Sequence, residues 1–475
     1  MPMTADTNGN AEKLADFQLA WDEAESNIRD FIAHVDEGPA TPDHDLAAMH
    51  ENIEAQFDFS QPVPPDEAVR RVSRLLRTWA THTSHRRHFG LFNPEPLPVT
   101  IAADALAAAF NPQLATVHHA PGAIALERRT LRVFQERMGM NPERASATFT
   151  NAGAEANHSG ILCALTKAIP TFDLEGLIGQ TKAPVFYVSA EAHHSFVKIA
   201  HATGIGRSAV REVPAGHGLR MDVDVLARLV EEDLAKGKLP FAAVATAGTT
   251  AAGAIDPIPA VAEVCRRFGM WLHVDAAWGG GALLSPALSR HLEGIELADS
   301  VTIDAHKWLS VPMAGGMFFC RDGDIAAKTF RVSTSYMPIH GGMPDPFGVS
   351  MQWSRRSIGL KLALSMLVLG TDGYAAILDH QARMGEALRT KLLESNWTIL
   401  NDTPFPLVNY THPRIESGER TLGEVLQRVN AGRKVWISKV MLSTGVEAFR
   451  TCITNYRTQP SDLDVLVAEL NRALD

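Results

Sequence analysis

The sequence has few cysteines and no long apolar run. Four cysteines are scattered through its 475 residues, at Cys163, Cys265, Cys320 and Cys452. Their spacing fits neither a metal site nor a disulfide framework and suits a reducing cytosol. The most apolar stretch, residues 360–369, is too short to cross a bilayer and contains Lys361. Residues 1–10 are polar and lack an apolar signal core, so we expect no secretion and no membrane, and predict a cytoplasmic protein.

The sequence has fewer basic than acidic residues. Lys and Arg number 44 against 54 Asp and Glu, which gives a net charge of -10 and a pI near 6.0. This balance argues against a nucleic-acid or an anionic-membrane partner. Apolar residues at 45% and charged residues at 21% are typical of a globular protein with one large domain and smaller flanking pieces.

The N-terminal part, residues 1–83, is predicted to be a helical arm. Apolar residues recur at helical spacing over 12–34, and Pro64 with Pro65 opens a second helix after a Pro-rich break over 38–65. The apolar stripes of both helices must be buried, either on a partner subunit or on the chain's own domain.

Strand and helix patterns alternate over residues 146–330, which predicts an α/β domain with a mostly parallel sheet covered on both faces. Strands are predicted at 147–150, 185–189, 209–213, 241–245, 271–274 and 301–303, with another beginning at Met317. The helices between them include 222–234 and 259–268. In such sheets, ligands bind beyond the carboxyl ends of the strands.

A lysine directly follows one of these strands. Residues 299–304 alternate apolar and β-branched side chains, and His306 and Lys307 stand where the strand gives way to a loop. A lysine at the exit of a buried strand is costly unless it is paired or chemically used. Desolvation makes its amine nucleophilic, and the obvious use is a Schiff base with pyridoxal phosphate.

Other strand ends fit the same cofactor. Asp275 ends a buried strand, and a pyridinium nitrogen would supply the cation that a buried carboxylate needs. Ala277 leaves flat space beside such a ring. Gly153 and Ala154 open a helix after a strand, where small side chains allow a phosphate to approach the backbone amides.

Two further loops complete the pattern. His193 follows a strand and could stack on a flat ring, and the hydroxyl-rich turn over 246–253 could bind phenolate or carboxylate oxygens. Each pattern alone has an ordinary structural explanation. Five of them at successive strand ends together indicate a pyridoxal phosphate site.

A metal site is not expected. One loop contains His85 and His88, and another contains His118 and His119. Adjacent histidines cannot easily both point inward, so these residues make a poor ligand set.

With these motifs, the sequence resembles the group II pyridoxal-phosphate decarboxylases, which include aromatic amino acid, glutamate, histidine and diaminobutyrate enzymes. The resemblance covers residues 60–472 and is most specific at His193, 275–277 and 306–308. It implies a fold-type-I enzyme and a homodimer in which the arm clasps the partner and the active sites are shared.

The resemblance also implies domain limits and residue roles. It places a large cofactor-binding domain at 84–370 and a small C-terminal α/β domain at 371–475. Lys307 then holds the cofactor, Asp275 pairs with the ring nitrogen and His193 stacks on the ring. The other cofactor contacts are Gly153, Ala154, Thr246, Ala277, His306 and Ser354.

Two more residues gain roles from the resemblance. Tyr336 precedes a Gly- and Pro-rich stretch expected to act as a lid, and it donates the proton that replaces the lost carboxyl group. Arg450 lies in a predicted C-terminal strand and either faces the substrate carboxylate or forms a structural ion pair.

The substrate-binding residues implied by the resemblance are Phe89, Phe92, His118, His119 and Arg450, with Trp308 as a further candidate for the pocket rim. Phe92 and its neighbour Leu91 favour a flat apolar side chain, whereas Arg86, Arg87 and the two histidines favour an acidic one. Asp304 replaces the asparagine common before the His-Lys pair and adds a charge. We expect an aromatic L-amino acid, with an acidic or diamino acid as the alternative.

Other functions are also compatible with parts of the pattern. A cysteine desulfurase-like lyase shares the His-Lys pair but needs a cysteine on a flexible loop, and Cys452 lies in a predicted strand. An aminotransferase is disfavoured by Tyr336. A non-catalytic binding protein is disfavoured by intact Lys307, Asp275 and Tyr336.

Overall fold

The computed structural model describes residues 7–41, 45–332 and 344–475. Its N-terminal helices are α1 Thr7–His34, α2 Leu46–Gln56, α3 Pro65–Trp79, α4 Pro98–Phe110 and α5 Pro121–Arg137. The following helices are α6 Gly153–Ala168, α7 Phe172–Glu175, α8 Ser195–Ala202, α9 Val223–Ala235, α10 Ile258–Phe268, α11 Pro286–Ser289 and α12 Gly323–Phe330. The last are α13 Leu360–Glu394, α14 Pro413–Glu416, α15 Leu422–Ala431 and α16 Pro460–Leu474.

Seven strands form the large sheet. They are β1 Ser146–Thr150, β2 Pro184–Ser189, β3 Val210–Val213, β4 Leu239–Thr246, β5 Trp271–Asp275, β6 Ser300–Asp304 and β7 Gly316–Cys320. Their order is β1-β7-β6-β5-β4-β2-β3, and only β7 runs antiparallel to its neighbours. The mostly parallel sheet predicted from the sequence is confirmed.

The sheet collects the chemically important residues at one edge. Six strands point the same way, so their carboxyl ends lie along a single edge. In register, Thr246 at the end of β4 is paired with Asp275 at the end of β5, which is followed across the sheet by Thr302 of β6. Both faces of β5 and β6 are buried, which explains their rich content of Val, Ile, Leu and Trp.

A second, antiparallel sheet lies in the C-terminal part. Its strands are β8 Thr398–Ile399, β9 Leu407–Thr411, β10 Ser438–Met441 and β11 Glu447–Cys452, in the order β10-β11-β9-β8. Together with α15 and α16, it encloses its own apolar core.

The segment around residue 89 packs with this C-terminal part. Phe89 is fully buried in its core, and the Phe89 N–H donates to the carbonyl of Trp436 at 2.7 Å. A Cβ on Gly90 would lie 1.5 Å from the Trp436 ring, so only glycine fits there. This segment therefore packs in the C-terminal core, while the domain limits 84–370 and 371–475 stay a prediction.

Helix α13 joins the two parts. By length and composition alone it is apolar enough to cross a membrane. However, the helix is interrupted at Gly370 (φ 62°, ψ -175°), and Leu362, Tyr374 and Leu388 are buried in the protein's cores. Lys361 is buried as well, with its amine 3.3 Å from Asp104 Oδ2. These contacts are those of a core helix in a globular domain.

Helix α2 is not predicted by the sequence pattern. It lies inside the stretch over 38–65 that the prolines mark as a break. Asp45 caps it by accepting hydrogen bonds from the N–H groups of Ala47 and Ala48. The prolines flank this helix instead of interrupting it, so a short capped helix fits between them.

Candidate active site

Lys307 lies at the exit of β6 and contacts a buried carboxylate. Its Nζ is 3.1 Å from Oδ2 of Asp304, whose side chain is only 2% exposed. The same oxygen is 3.7 Å from His306 Nε2, while His306 Nδ1 accepts a hydrogen bond from the Gly315 N–H. The proton of neutral His306 therefore resides on Nε2. Burial lowers the pKa of His306, an effect that Asp304 partly opposes.

Asp275 is held by two hydrogen bonds at the end of β5. Its Oδ2 accepts from Asn157 Nδ2 at 2.8 Å, and its Oδ1 accepts from the Ala277 N–H at 3.0 Å. The side chain is buried, and no lysine or arginine in the described ranges forms an ion pair with it. A buried carboxylate in this state is suited to a cationic ligand such as a pyridinium.

His193 stands near both charged groups. Its side chain is exposed, and its Nδ1 accepts a hydrogen bond from the Ser195 N–H at 3.2 Å. Desolvation lowers its pKa, Lys307 lowers it further, and Asp275 opposes the shift. A lowered pKa favours the neutral imidazole.

The start of α6 is closely packed against the lysine loop. A Cβ added at Gly153 would lie 2.8 Å from Asp304 Oδ2 and 3.1 Å from the Cβ of Ala277. Ala154, the next residue, is exposed at the helix N-terminus. The lack of a Cβ at Gly153 therefore allows this close packing, and the N-terminal amides of α6 favour an anion.

An aromatic side chain links Lys307 to Arg450. The Phe92 ring centroid is 5.7 Å from Lys307 Nζ and 4.5 Å from the Arg450 guanidinium carbon. Trp278 lies behind Phe92, with the ring centroids 4.8 Å apart. Arg450 is 5% exposed and donates to the carbonyl oxygens of Thr250 and Gly90.

Two predicted rim residues are not at the site. The Phe89 ring is in the C-terminal core, and Trp308 is fully buried, where its ring stacks on Trp278 and its Nε1 donates to Gln381. The sequence showed only that both are aromatic and close to site residues. Their inward orientation results from packing between the two sheets.

Three other predicted contacts cluster around Gln113. Gln113 Nε2 donates to Ser354 Oγ at 3.1 Å, and Gln113 Oε1 is 3.0 Å from His119 Nδ1. His118, His119 and Ser354 are all exposed. Within one chain these residues form a separate patch. Tyr336 lies outside the described residues.

The sequence-based prediction missed the partners of Asp275. Asn157 donates to it, and His273 in turn contacts Asn157. A signal was present: His273 and Asp275 are two residues apart on one strand, so their side chains point to the same face. Asn157 lies on α6, the helix that covers this face.

The residues present fit pyridoxal phosphate. Within the described ranges, several buried polar atoms here have no hydrogen-bond partner: Thr246 Oγ1, Trp278 Nε1, Asp304 Oδ1 and Arg450 Nη2. Buried polar groups are rarely left unpaired unless a ligand completes them. An anion-binding helix start, a lysine amine and a strand-end carboxylate are the three contacts that this cofactor needs.

Comparisons with known proteins agree with this site. Residues 51–412 match the model of the pyridoxal-dependent decarboxylase conserved domain. L-aspartate decarboxylase dtxS4 of Metarhizium robertsii is 29% identical over 398 residues, 80% of this chain and 79% of that protein. Aromatic-L-amino-acid decarboxylase of Bacillus atrophaeus is 30% identical over 374 residues, 77% of this chain and 75% of that protein.

The fold is shared with solved structures. Oryza sativa TDC with PLP and tryptamine superposes with a TM-score of 0.87 at 22% identity, covering 100% of this chain and 99% of that chain. Fold and site together define a fold-type-I pyridoxal-phosphate enzyme. The chain belongs to the pyridoxal-dependent decarboxylase family and is an amino acid carboxy-lyase.

The desulfurase alternative is not supported. Cys452 is fully buried in β11, and burial raises the pKa of its thiol to about 12. A reactive cysteine needs an accessible thiolate.

Proposed function

We propose that the chain decarboxylates an aromatic L-amino acid to carbon dioxide and the corresponding amine. The observation that carries this choice is the Phe92 ring, which lies 5.7 Å from Lys307 Nζ with Trp278 behind it. An aromatic wall beside the lysine favours a flat apolar side chain, because ring pairs stack or meet edge-to-face.

The proposed roles of the site residues follow from their positions. When bound, pyridoxal phosphate supplies an aldehyde that captures amino groups and a protonated ring that accepts electrons. Lys307 holds the cofactor, and Asp275 keeps a proton on the ring nitrogen. His193 stacks on the ring. The phosphate contacts are proposed to be Gly153, Ala154 and His306, with Thr246 and Ala277 beside the ring.

Arg450 is proposed to bind a substrate carboxylate. Its guanidinium is buried and makes no ion pair with a carboxylate among the residues that the structure describes. Its Nη2 has no hydrogen-bond partner there. A buried arginine without a carboxylate partner is suited to an anionic ligand.

Arg450 also supports a second candidate, the acidic amino acids. If it binds the side-chain carboxylate instead of the α-carboxylate, the preferred substrate resembles aspartate or glutamate. The relative from Metarhizium robertsii is named L-aspartate decarboxylase, and the relative from Bacillus atrophaeus is named aromatic-L-amino-acid decarboxylase.

A panel of substrates separates the two candidates. We expect carbon dioxide release from the twenty L-amino acids plus diaminobutyrate to be highest with tyrosine, phenylalanine or tryptophan. Phe92→Leu should raise the KM for the aromatic substrate about fivefold, by loss of roughly 1 kcal/mol of ring contact. Turnover confined to acidic or diamino substrates would overturn the aromatic proposal.

Arg450→Lys shows which carboxylate is bound. Lysine keeps the buried charge but loses the fork of donors. A similar loss with every substrate is expected if Arg450 binds the α-carboxylate. A loss confined to aspartate and glutamate would favour the acidic candidate.

Tyr336 is proposed to donate the proton that replaces the carboxyl group. Tyr336→Phe keeps the ring and removes only the hydroxyl. The variant should still release carbon dioxide but yield less amine per carbon dioxide, with oxygen uptake and an aldehyde in its place. Amine and carbon dioxide are measured in the same reaction. An unchanged ratio would exclude this role.

The active enzyme is proposed to be a homodimer with shared sites. A stripe of α1 is exposed although it is apolar: Leu14 is 64% exposed, Phe17 55% and Trp21 43%. Such stripes are rarely left open to water. A partner would also bring the patch of His118, His119 and Ser354 to a site, since these residues do not contact Lys307 in their own chain.

In solution, light scattering should give twice the chain mass of 51.6 kDa. Trp21→Asp would place a charge in the covered stripe, so we expect monomers with little activity. Leu174→Asp, at an exposed leucine in α7, is the matched control and should remain a dimer. A fully active wild-type monomer would contradict the proposal.

A further inference from the structure

A buried chain of hydrogen bonds extends behind Asp275. Asn157 Nδ2 donates to Asp275 Oδ2 at 2.8 Å, and His273 Nε2 lies 3.0 Å from Asn157 Oδ1. His273 Nδ1 is 2.8 Å from Ser300 Oγ, which accepts from Trp271 Nε1 at 2.8 Å. None of these four partners touches Lys307, and none has a role so far.

The two ends of the chain fix the direction of every hydrogen bond. The Asp275 carboxylate can only accept, so Asn157 must present its NH₂ group to it and its oxygen to His273. His273 must then donate from Nε2 and accept at Nδ1 from the Ser300 hydroxyl. At the far end, the indole of Trp271 can only donate. All the donors therefore point towards Asp275.

Burial of these residues maintains the hydrogen bonds in this one direction. Asn157, His273 and Ser300 are each 2% exposed or less. Burial lowers the pKa of His273 to about 4, against the opposing effect of Asp275, so the imidazole stays neutral. Only the neutral ring has an acceptor at Nδ1 for the serine. Chains of aligned hydrogen bonds in a low-dielectric interior strengthen one another.

Helix α6 packs closely against this chain of hydrogen bonds. A Cβ on Gly160 of α6 would lie 2.5 Å from His273 Nδ1. Glycine in a helix interior is unfavourable relative to alanine, so its presence reflects the close approach of the helix to the ring. On another side, Phe196 packs edge-on at 6.2 Å.

We propose that Asn157 and His273 are positioning residues that hold the Asp275 carboxylate ionised and aimed at the cofactor ring, with Ser300 and Trp271 fixing the ring orientation of His273. The inference rests on the proposed role of Asp275. The aligned hydrogen bonds stabilise the negative charge of the Asp275 carboxylate. A pyridinium nitrogen needs such a charge as its partner.

The test uses the holoenzyme and its cofactor. Asn157→Leu and His273→Leu remove a donor at similar volume, whereas His273→Gln keeps a donor towards Asn157. Asn157→Leu loses a hydrogen bond to a charged group, which should weaken pyridoxal phosphate binding about 10- to 100-fold. His273→Leu loses the bond that orients Asn157, so the weakening should be smaller but of the same kind. In both leucine variants the bound-cofactor absorption band and its circular dichroism should change, and kcat should fall more than KM rises. His273→Gln should recover most of both signals.

Matched controls separate positioning from stability. Ser159→Ala, at another buried position of α6, loses only a hydrogen bond to the Glu155 carbonyl, so it should match wild type. If the leucine variants lower Tm but leave cofactor affinity and band unchanged, the inference is wrong. If they do not fold, Trp271→Phe is measured instead. This variant should show a smaller shift of the cofactor band in the same direction. If its band and its cofactor affinity are the same as in wild type, the inference is wrong.

Asp275→Asn distinguishes failure of the proposed role of Asp275 from failure of the positioning role of its neighbours. An unaltered cofactor band in that variant means that the proposed role of Asp275 fails, whatever Asn157 does. If Asp275→Asn alters the cofactor band but Asn157→Leu and His273→Leu leave it unchanged, only the positioning role fails.

Discussion

Lys307→Ala should abolish amino acid decarboxylation, lowering kcat by several orders of magnitude. The reason is that Lys307 supplies the only amine at the carboxyl end of β6 among the described residues, 3.1 Å from the buried Asp304 carboxylate. Without it, the cofactor is held by non-covalent contacts alone. Carbon dioxide release by purified protein saturated with pyridoxal phosphate is the measurement.

Lys307→Arg is the matched variant. It keeps a cation beside Asp304, and so tests whether the charge or the nucleophilic amine matters. We expect it to fold with a Tm close to wild type and to remain inactive. Activity of either variant within tenfold of wild type would contradict the assignment.

Asp275→Ala should cause the second largest loss of kcat, after the Lys307 variants. Without the carboxylate, the cofactor ring no longer keeps the proton that lets it accept electrons. A barrier higher by about 3–5 kcal/mol would lower the rate roughly 10²- to 10⁴-fold. Cofactor binding should remain measurable, because Lys307 and the start of α6 are untouched. Asp275→Asn, which keeps the shape and loses the charge, should behave alike.

Steady-state kinetics with the best substrate measure this effect. The loss should be in kcat more than in KM, since the carboxylate acts on the cofactor ring and not on the substrate. Turnover of Asp275→Ala within a few-fold of wild type would exclude the proposed role.

The strands that carry the site could be predicted from the sequence. The apolar runs that end at Thr246, Asp275 and Asp304 are short and bounded by turns, and all three are strands of the sheet. Since such strands run parallel, the pattern predicts that Lys307 and Asp275 lie at the same edge of the sheet.

Side-chain directions and long-range packing could not be predicted. Phe89 and Phe92 are three residues apart in one loop, yet one ring is in the C-terminal core and the other faces Lys307. A loop has no fixed periodicity, so its sequence does not show which side chains point inward. For Asn157, 118 residues separate it from its hydrogen-bond partner Asp275, and only the packing of α6 on the sheet brings them together.

The most direct test is borohydride reduction of the purified holoenzyme followed by peptide mapping. The reduction makes the link between a lysine and pyridoxal phosphate permanent. One modified peptide is expected, and it should contain Lys307. Modification of a different lysine, or of none, would contradict the assignment of this chain's active site.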